Sequence, residues 1–458
     1  MKKVALIGGP GSFEDSVQAL ARALFRGDLQ DSQIKQLPPQ NLYLAFKSLG
    51  LESCQDVLSA VSQRQYRALL DFELWTRDSF REDRFWAWLD AIDDPMDLIP
   101  LQRCINSLDP DLLALIVRRY VDVEYHEEKD DLPPGPNFYS PDNGRTWIAF
   151  KTHDSERHRL LGKLLAFLYQ TNSNIFYEIL LQAQQGTSLE FEENAFQGRS
   201  HRLLNEYIPL AGDAALLHAP LSLSQVTARA SEARARKERN VIEVSNYPVI
   251  PLFVRGVGYQ PLRSILEQFS DERLFETQSE FSKILNSAVV FFLGDFAEES
   301  SLTLLTEQVF GVVNVALQVL QENSPENFSA EIISELTFTE LYQLGLGEVY
   351  SIRKRVQKIP ADIVRTLEHM NPALSVLVDF VSQPLPLLPA FFREDGSFEI
   401  EDEKLSLESK PISSLEEITS VANVIEQQIE EKFFEIRSYE KQSGVHKLVK
   451  DSTSRDLQ

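Results

Sequence analysis

The sequence predicts a mainly α fold: an irregular helical repeat, superhelical and armadillo-like, in the N-terminal part, then a helical bundle region with one or two small β-hairpins. Three observations predict it. Apolar residues recur at helical spacing through most of the 458 residues. Helix-start signals are dense before residue 121. Alternating, strand-like runs are short and sit beside proline- and glycine-rich turns.

The first element follows Gly8-Gly9-Pro10-Gly11, which has the look of a phosphate loop without its chemistry. No lysine follows the last glycine, and Glu14 stands where a dinucleotide-binding turn needs a third glycine. The loop is therefore read as a corner, with Ser12 as the cap that starts Val17, Leu20, Ala21 and Leu24 on one face. Ser53 with Asp56 and Ser62 with Gln65 have the same capping spacing, in which a side chain satisfies an orphan amide of the first turn. Proline opens two more helices, at Leu37-Pro38-Pro39 and Asp109-Pro110, where its missing amide costs nothing. One apolar face then carries Tyr66, Leu69 and Leu70, and another Leu112, Leu113, Ile116, Val117 and Tyr120. Helices this short are marginal alone and must stack on neighbours.

Trp75, Trp86 and Trp88 fall in one stretch, "LLDFELWTRDSFREDRFWAWLDAI". They are either the thick part of a helical core or an exposed partner-binding cluster. The pattern changes at the acidic, proline-rich piece from Glu127 to Pro136, and Asp142-Asn143-Gly144 turns the chain into the alternating run Thr146 to Phe150, a hairpin signal. Helical spacing resumes near Arg157, and prolines break it between Asn240 and Leu262. From there to Gln383 the chain is helical again. Thr337 and Glu340 cap one helix there, on which Leu341, Leu344, Val349 and Ile352 share a face. Gly345 and Gly347 inside it cost helix stability and so predict a close helix crossing. A proline-rich turn, a second hairpin signal and a helix capped by Ser414 with Glu417 follow, then a polar tail after Tyr439. The expected divisions are residues 1–125, 126–245, 246–385, 386–436 and a disordered 437–458.

With 43% hydrophobic and 25% charged residues, the composition is that of an ordinary globular protein. Uninterrupted apolar runs such as Ala288 to Leu293 stop far short of the ~20 residues that cross a bilayer, so no membrane span is expected. Gly8 to Glu14 ends the first apolar run before a signal-peptide core forms, which predicts a cytoplasmic protein. A formal charge of -24 argues against a general nucleic-acid or anionic-membrane binder. Cys54 and Cys104 are expected as small buried hydrophobes in a reducing compartment.

No catalytic constellation, cofactor loop or metal-ligand spacing stands out, so neither a catalytic residue nor a cofactor is assigned. His153, Asp154, Glu156 and His158, and the acidic run around His126, are the densest ligand clusters and read as solvated loops. Arg229, Arg234, Arg236, Lys237 and Arg239 lack interleaved aromatics and read as a solvated helix end. The informative segment is "LEFEENAFQGRSHRLL", holding Glu192, Glu193, Arg199 and Arg202. On a helix, Glu192, Ala195, Arg199 and Arg202 project from about one side and place two guanidinium groups near one carboxylate. Such a group locks a neighbouring helix or binds an acidic ligand or partner.

The segments "LPPQNLYLAFKSLGLESCQDVLSAVS", "LLDFELW", "LDPDLLALIVRRYV", "EENAFQGRSHRL", "FTELYQLGLGEVYSIRKR" and "KPISSLEEI" resemble, in the same order, an uncharacterised bacterial family known only as a domain of unknown function. The resemblance runs from about Leu37 to Ile429 and implies no activity, since that family has none assigned. The first 120 residues also look like the cytoplasmic helical repeat of MgtE-type magnesium transporters, on the Leu-Pro-Pro and Leu-Asp-Pro helix starts, although the transporter's membrane helices are absent from the sequence. The expected function is a cytoplasmic helical scaffold or adaptor that binds a partner protein. The alternative is a ligand or divalent-cation sensor with a site on the acidic helical surface.

Overall fold

Local capping chemistry sets where the first helices begin. The computed structural model describes residues 13–94, 98–126, 132–236, 258–293, 296, 299–323, 333, 336–359, 371–398 and 408–430. The corner at Gly8 to Ser12, half of the acidic loop, most of the second proline patch, and the polar tail lie outside them. The fold is mainly helical, and among the described residues it has three two-stranded antiparallel hairpins, one more than expected.

The contact pattern divides the chain into two units: one within Met1–Ala215 and Phe281–Thr303, the other within Leu216–Ile242, Val257–Glu280 and Leu304–Gln458. Unit one holds α1 (Phe13–Phe25), α2 (Asp31–Ile34), α3 (Pro39–Leu49), α4 (Gln55–Ala60) and α5 (Gln63–Glu73). The hairpin β1 (Trp75–Thr76) and β2 (Ser79–Phe80) comes next, then α6 (Glu82–Ala91), α7 (Ile99–Ser107) and α8 (Pro110–Tyr120). A second hairpin, β3 (Val121–Tyr125) and β4 (Thr146–Phe150), precedes α9 (Ser155–Thr171), α10 (Ser173–Gln185) and α11 (Ser188–Leu204).

Pro39 opens α3, and Asp109 caps α8 by accepting from the Asp111 amide at 3.1 Å ahead of Pro110. Ser62 and Gln65 form the expected reciprocal box at the start of α5. Ser53 does not cap. The left-handed Gly50, at φ 82°, sends the chain into a 3₁₀ turn from Leu51 to Cys54, so α4 starts one residue past Cys54 without a side-chain cap. The hairpin signal at Thr146 to Phe150 finds its partner in Val121 to Tyr125, directly after α8.

The tryptophans belong to the core. Trp75, Trp86 and Trp88 are 2%, 6% and 3% exposed. Trp88 meets Tyr66 edge-on at 6.0 Å and donates its indole N–H to the tyrosine hydroxyl at 3.2 Å. These three side chains therefore offer no surface to a partner or ligand, which corrects their placement among the binding candidates. Cys54 and Cys104 are buried and free, and burial pushes both thiols up to about 12.

After α12 (Ala211–Leu217) come α13 (Leu223–Arg236), α14 (Leu262–Leu266), α15 (Asp271–Ala288), α16 (Glu299–Asn323), α17 (Phe338–Val356) and α18 (Pro372–Val381). The third hairpin, β5 (Leu387–Pro389) with β6 (Ser409–Pro411), and α19 (Leu415–Val424) complete the described elements. Thr337 and Glu340 box the start of α17, and Leu341, Leu344, Val349 and Ile352 are buried on it as expected. A Cβ built on Gly345 would stand 1.9 Å from the Val312 carbonyl oxygen of α16, and one on Gly347 3.1 Å from the Leu221 carbonyl oxygen, so both glycines admit main chain to close approach. Within α16, Ser301–Asn323 is long and apolar enough to cross a membrane, with mean hydropathy 1.4, yet 78% of its apolar window is buried inside the protein. That is the environment of a core helix.

Unit two also holds a buried acid. Glu280 is 6% exposed, accepts from the Phe338 amide in the first turn of α17 and lies 3.3 Å from Arg273 Nη1. Burial pushes its carboxyl from 4.5 up to about 7, against the pull of Arg273 and the Phe338 amide, while Glu276 adds to the rise. The folded state thus holds this proton more tightly than the unfolded chain. Its stabilising contribution is complete below the unfolded value and is lost as pH rises through about 7, a change on the order of 3 kcal/mol. Measured by urea unfolding, the stability of wild type relative to Glu280→Gln should decline from about pH 4.5 to about pH 7 and then level off; a difference that does not vary with pH would refute the assignment.

Candidate functional site

Thr187 and Glu190 box the start of α11, and the helix runs unbroken to Leu204, so Glu192 and Arg202 are ten residues apart, ~15 Å along the axis. That distance divides the expected group. Arg202 turns to α5 and α8. Its Nε and Nη2 donate to the two carboxylate oxygens of Asp71, each at 2.8 Å, and its Nη1 to Asp109 at 2.7 Å. Arg199 is buried, donates from Nε to the Asp71 carbonyl at 2.7 Å and lies 5.8 Å above the Trp75 ring. Burial raises the Asp71 carboxyl, and the Arg202 fork pulls against it.

Glu192 serves a second cluster. It accepts from the Phe80 amide at 3.1 Å and from Arg119 at 3.0 Å, and Arg119 reaches on to Glu82 at 2.9 Å. Glu82 also accepts from the Tyr120 hydroxyl and, at 3.3 Å, from the Trp86 indole. Burial alone would raise the Glu82 carboxyl, but these donors prevail and hold it below its ordinary range. Glu193 belongs to neither cluster; it is exposed and accepts from Gln197 at 2.9 Å. The expected single group is therefore two, both of which tie α11 to neighbouring elements. Asp71, Asp109, Glu82 and Arg119 were not foreseen as its partners. A signal for Asp71 exists, a carboxylate inside the apolar run Ala68-Leu69-Leu70-Asp71-Phe72.

Two cavities adjoin these elements. One, of about 420 Å³, opens between α5 and the end of α11 and is lined by Arg64, Arg67 and Arg202 with Asp71, Asn205 and Glu206. The other, of about 370 Å³, is framed by β4, α9 and α10. Its walls are aromatic: Tyr139 lies 5.8 Å from Phe150, Phe150 meets His158 edge-on at 4.4 Å, and Tyr169 meets Phe176 at 5.3 Å. Tyr139, bridged to Ile148 through main-chain hydrogen bonds, lines this cavity and is 41% exposed.

The histidine- and acid-rich run after β4 is dispersed by its own structure. Asp154 caps α9, Glu156 pairs with Arg159, and His158 meets the Phe150 ring edge-on. Among the described residues, no group of three or more His, Cys, Asp or Glu side chains is placed to hold a metal ion. Arg229 of the basic stretch lies 3.9 Å from Glu340, while Lys237 and Arg239 fall outside the described residues.

A family model described as a family of unknown function (DUF6178) matches residues 20–441. No curated protein and no solved structure matches the chain, so the likeness to magnesium-transporter repeats gains no support there.

Proposed function

We propose, for a chain that belongs to this family of unknown function, the role of an adaptor that docks a partner protein on unit one. The observation that carries the reading is the aromatic cavity beside β4. It is open, about 370 Å³ in volume and walled by Tyr139, Phe150, Tyr169 and Phe176, the setting in which one apolar anchor side chain of a partner is desolvated. The occupant is accordingly an apolar or aromatic side chain carried by another protein. The polar residues that most resemble a reactive group are engaged instead in holding α11 to α5 and α8. A cytoplasmic location is part of the proposal, and the two buried free thiols are its support.

Filling the cavity tests it. Ala166 is exposed on the cavity wall, so Ala166→Trp blocks the space without entering the core. Affinity capture from native cells should recover a stoichiometric partner with wild type and at least about tenfold less with A166W, at unchanged unfolding temperature. A wild-type chain that stays monomeric and partnerless, or a partner kept equally by both chains, would overturn the reading.

A further inference from the structure

We infer that the arginine groove of unit one binds a small oxyanion, a molecule bearing carboxylate or phosphate groups, at a site independent of the aromatic cavity. The starting point is Arg67. Its guanidinium is partly buried, and its partners are main-chain carbonyls: Nε donates to Ser107 at 3.2 Å and Nη2 to Asn106 at 3.2 Å. Among the described residues no carboxylate lies within ion-pair distance of it, although the chain carries a formal charge of -24. A guanidinium held by neutral carbonyls keeps its full charge and its spare N–H donors for an anion that enters the groove.

The surroundings supply the rest of a site. Arg64, one helical turn before Arg67 on α5, pairs through Nε with Glu206 at 2.7 Å, and 69% of its side chain stays exposed to the same groove. Arg202 forms part of the wall, held rigid by Asp71 and Asp109. The carboxylates on this wall, Asp71 and Glu206, are buried and already matched by Arg202 and Arg64, so neither cancels Arg67. A guanidinium has more N–H donors than these contacts use, arranged in a plane that suits the paired oxygens of a carboxylate or phosphate. The volume, about 420 Å³, falls within the range of roughly 300–1,000 Å³ typical of small-molecule sites.

Titration calorimetry on the full chain tests this, with inorganic phosphate, glycerol phosphate and succinate as separate probes at constant ionic strength and chloride as the reference anion. At least one probe should bind one to one with a Kd below about 1 mM. Arg67→Gln should raise that Kd at least about tenfold, and Arg64→Gln should raise it by a smaller factor. Binding by the phosphates alone identifies a phosphorylated ligand, and binding by succinate alone a carboxylic acid. If Arg67→Gln does not fold, the exposed Arg64→Gln decides, through any weakening above about twofold. No probe binding better than chloride, or binding unchanged in a folded variant, would overturn the inference. Neither result bears on the aromatic cavity, which A166W tests separately.

Discussion

Gly345→Ala is expected to destabilise unit two by about 3 kcal/mol, the largest effect of any single methyl group added at a described glycine. The added Cβ would lie 1.9 Å from the Val312 carbonyl oxygen and 2.8 Å from its carbonyl carbon. Both obstacles are main chain of α16, and the Cβ direction is fixed by the α17 backbone, so no rotamer change relieves the overlap. The helices must separate, and the buried Leu341, Leu344, Val349 and Ile352 then lose contacts. Helix propensity acts the other way, since alanine is better than glycine by about 1 kcal/mol in a helix interior. The overlap decides the sign. Gly162→Ala in α9 is the control: its Cβ would meet the Phe150 ring at an ordinary 3.9 Å, so that variant should gain up to about 1 kcal/mol. The four tryptophans, Trp75, Trp86, Trp88 and Trp147, all lie in unit one, so fluorescence follows that unit while far-UV circular dichroism follows both. Gly345→Ala should shift the dichroism transition in urea more than the fluorescence transition. A variant as stable as wild type would show that α16 and α17 do not cross at Gly345.

That crossing was legible because glycine in a well-capped helix is costly, and a cost with no local return implies a tertiary one. The helix starts at Pro39, Ser62, Asp109 and Thr337 were legible for a similar reason: the cap and its partner are three residues apart or less, and local chemistry settles them. Ser53 failed as a cap because Gly50, at φ 82°, changes the path of the chain before the cap can act. The strand pairing with Val121 to Tyr125 was illegible. That segment follows α8 directly, and its partner Thr146 to Phe150 is separated from it by the acidic loop, so no periodicity within either run names the other. The site shows the same division. Helical spacing put Arg199 and Arg202 on a common side, but the carboxylates that meet Arg202 come from Asp71 and Asp109, 131 and 93 residues away. Spacing along one helix identifies a face; it does not say which helix will lie against it.

Asp71→Ala is expected to cost about 3–5 kcal/mol, because it leaves the Arg202 guanidinium without its two-pronged partner in a largely desolvated place. Arg202→Met should cost a similar amount, since the carboxylate left behind at Asp71 is buried. Arg202→Lys should fall between Met and wild type: an ammonium group cannot span both Asp71 oxygens and still reach Asp109. The informative chain is the double variant Asp71→Ala with Arg202→Met. Removing both charges removes the desolvation that each single variant leaves uncompensated, so its loss should be smaller than the sum of the two single losses by at least about 2 kcal/mol, read from urea unfolding followed by tryptophan fluorescence. Strict additivity would mean that the two side chains stabilise unit one separately. Asp109 sets the floor. It receives Arg202 at 2.7 Å and caps α8 through its other oxygen, so the double variant still lacks one donor there and should not recover fully. Because Asp71 and Arg202 also wall the oxyanion groove, the double variant separates folding from binding: with the pair gone and the chain folded, Arg67 and Arg64 still face the groove, and the residual affinity measures how much of the ligand these two hold without Arg202.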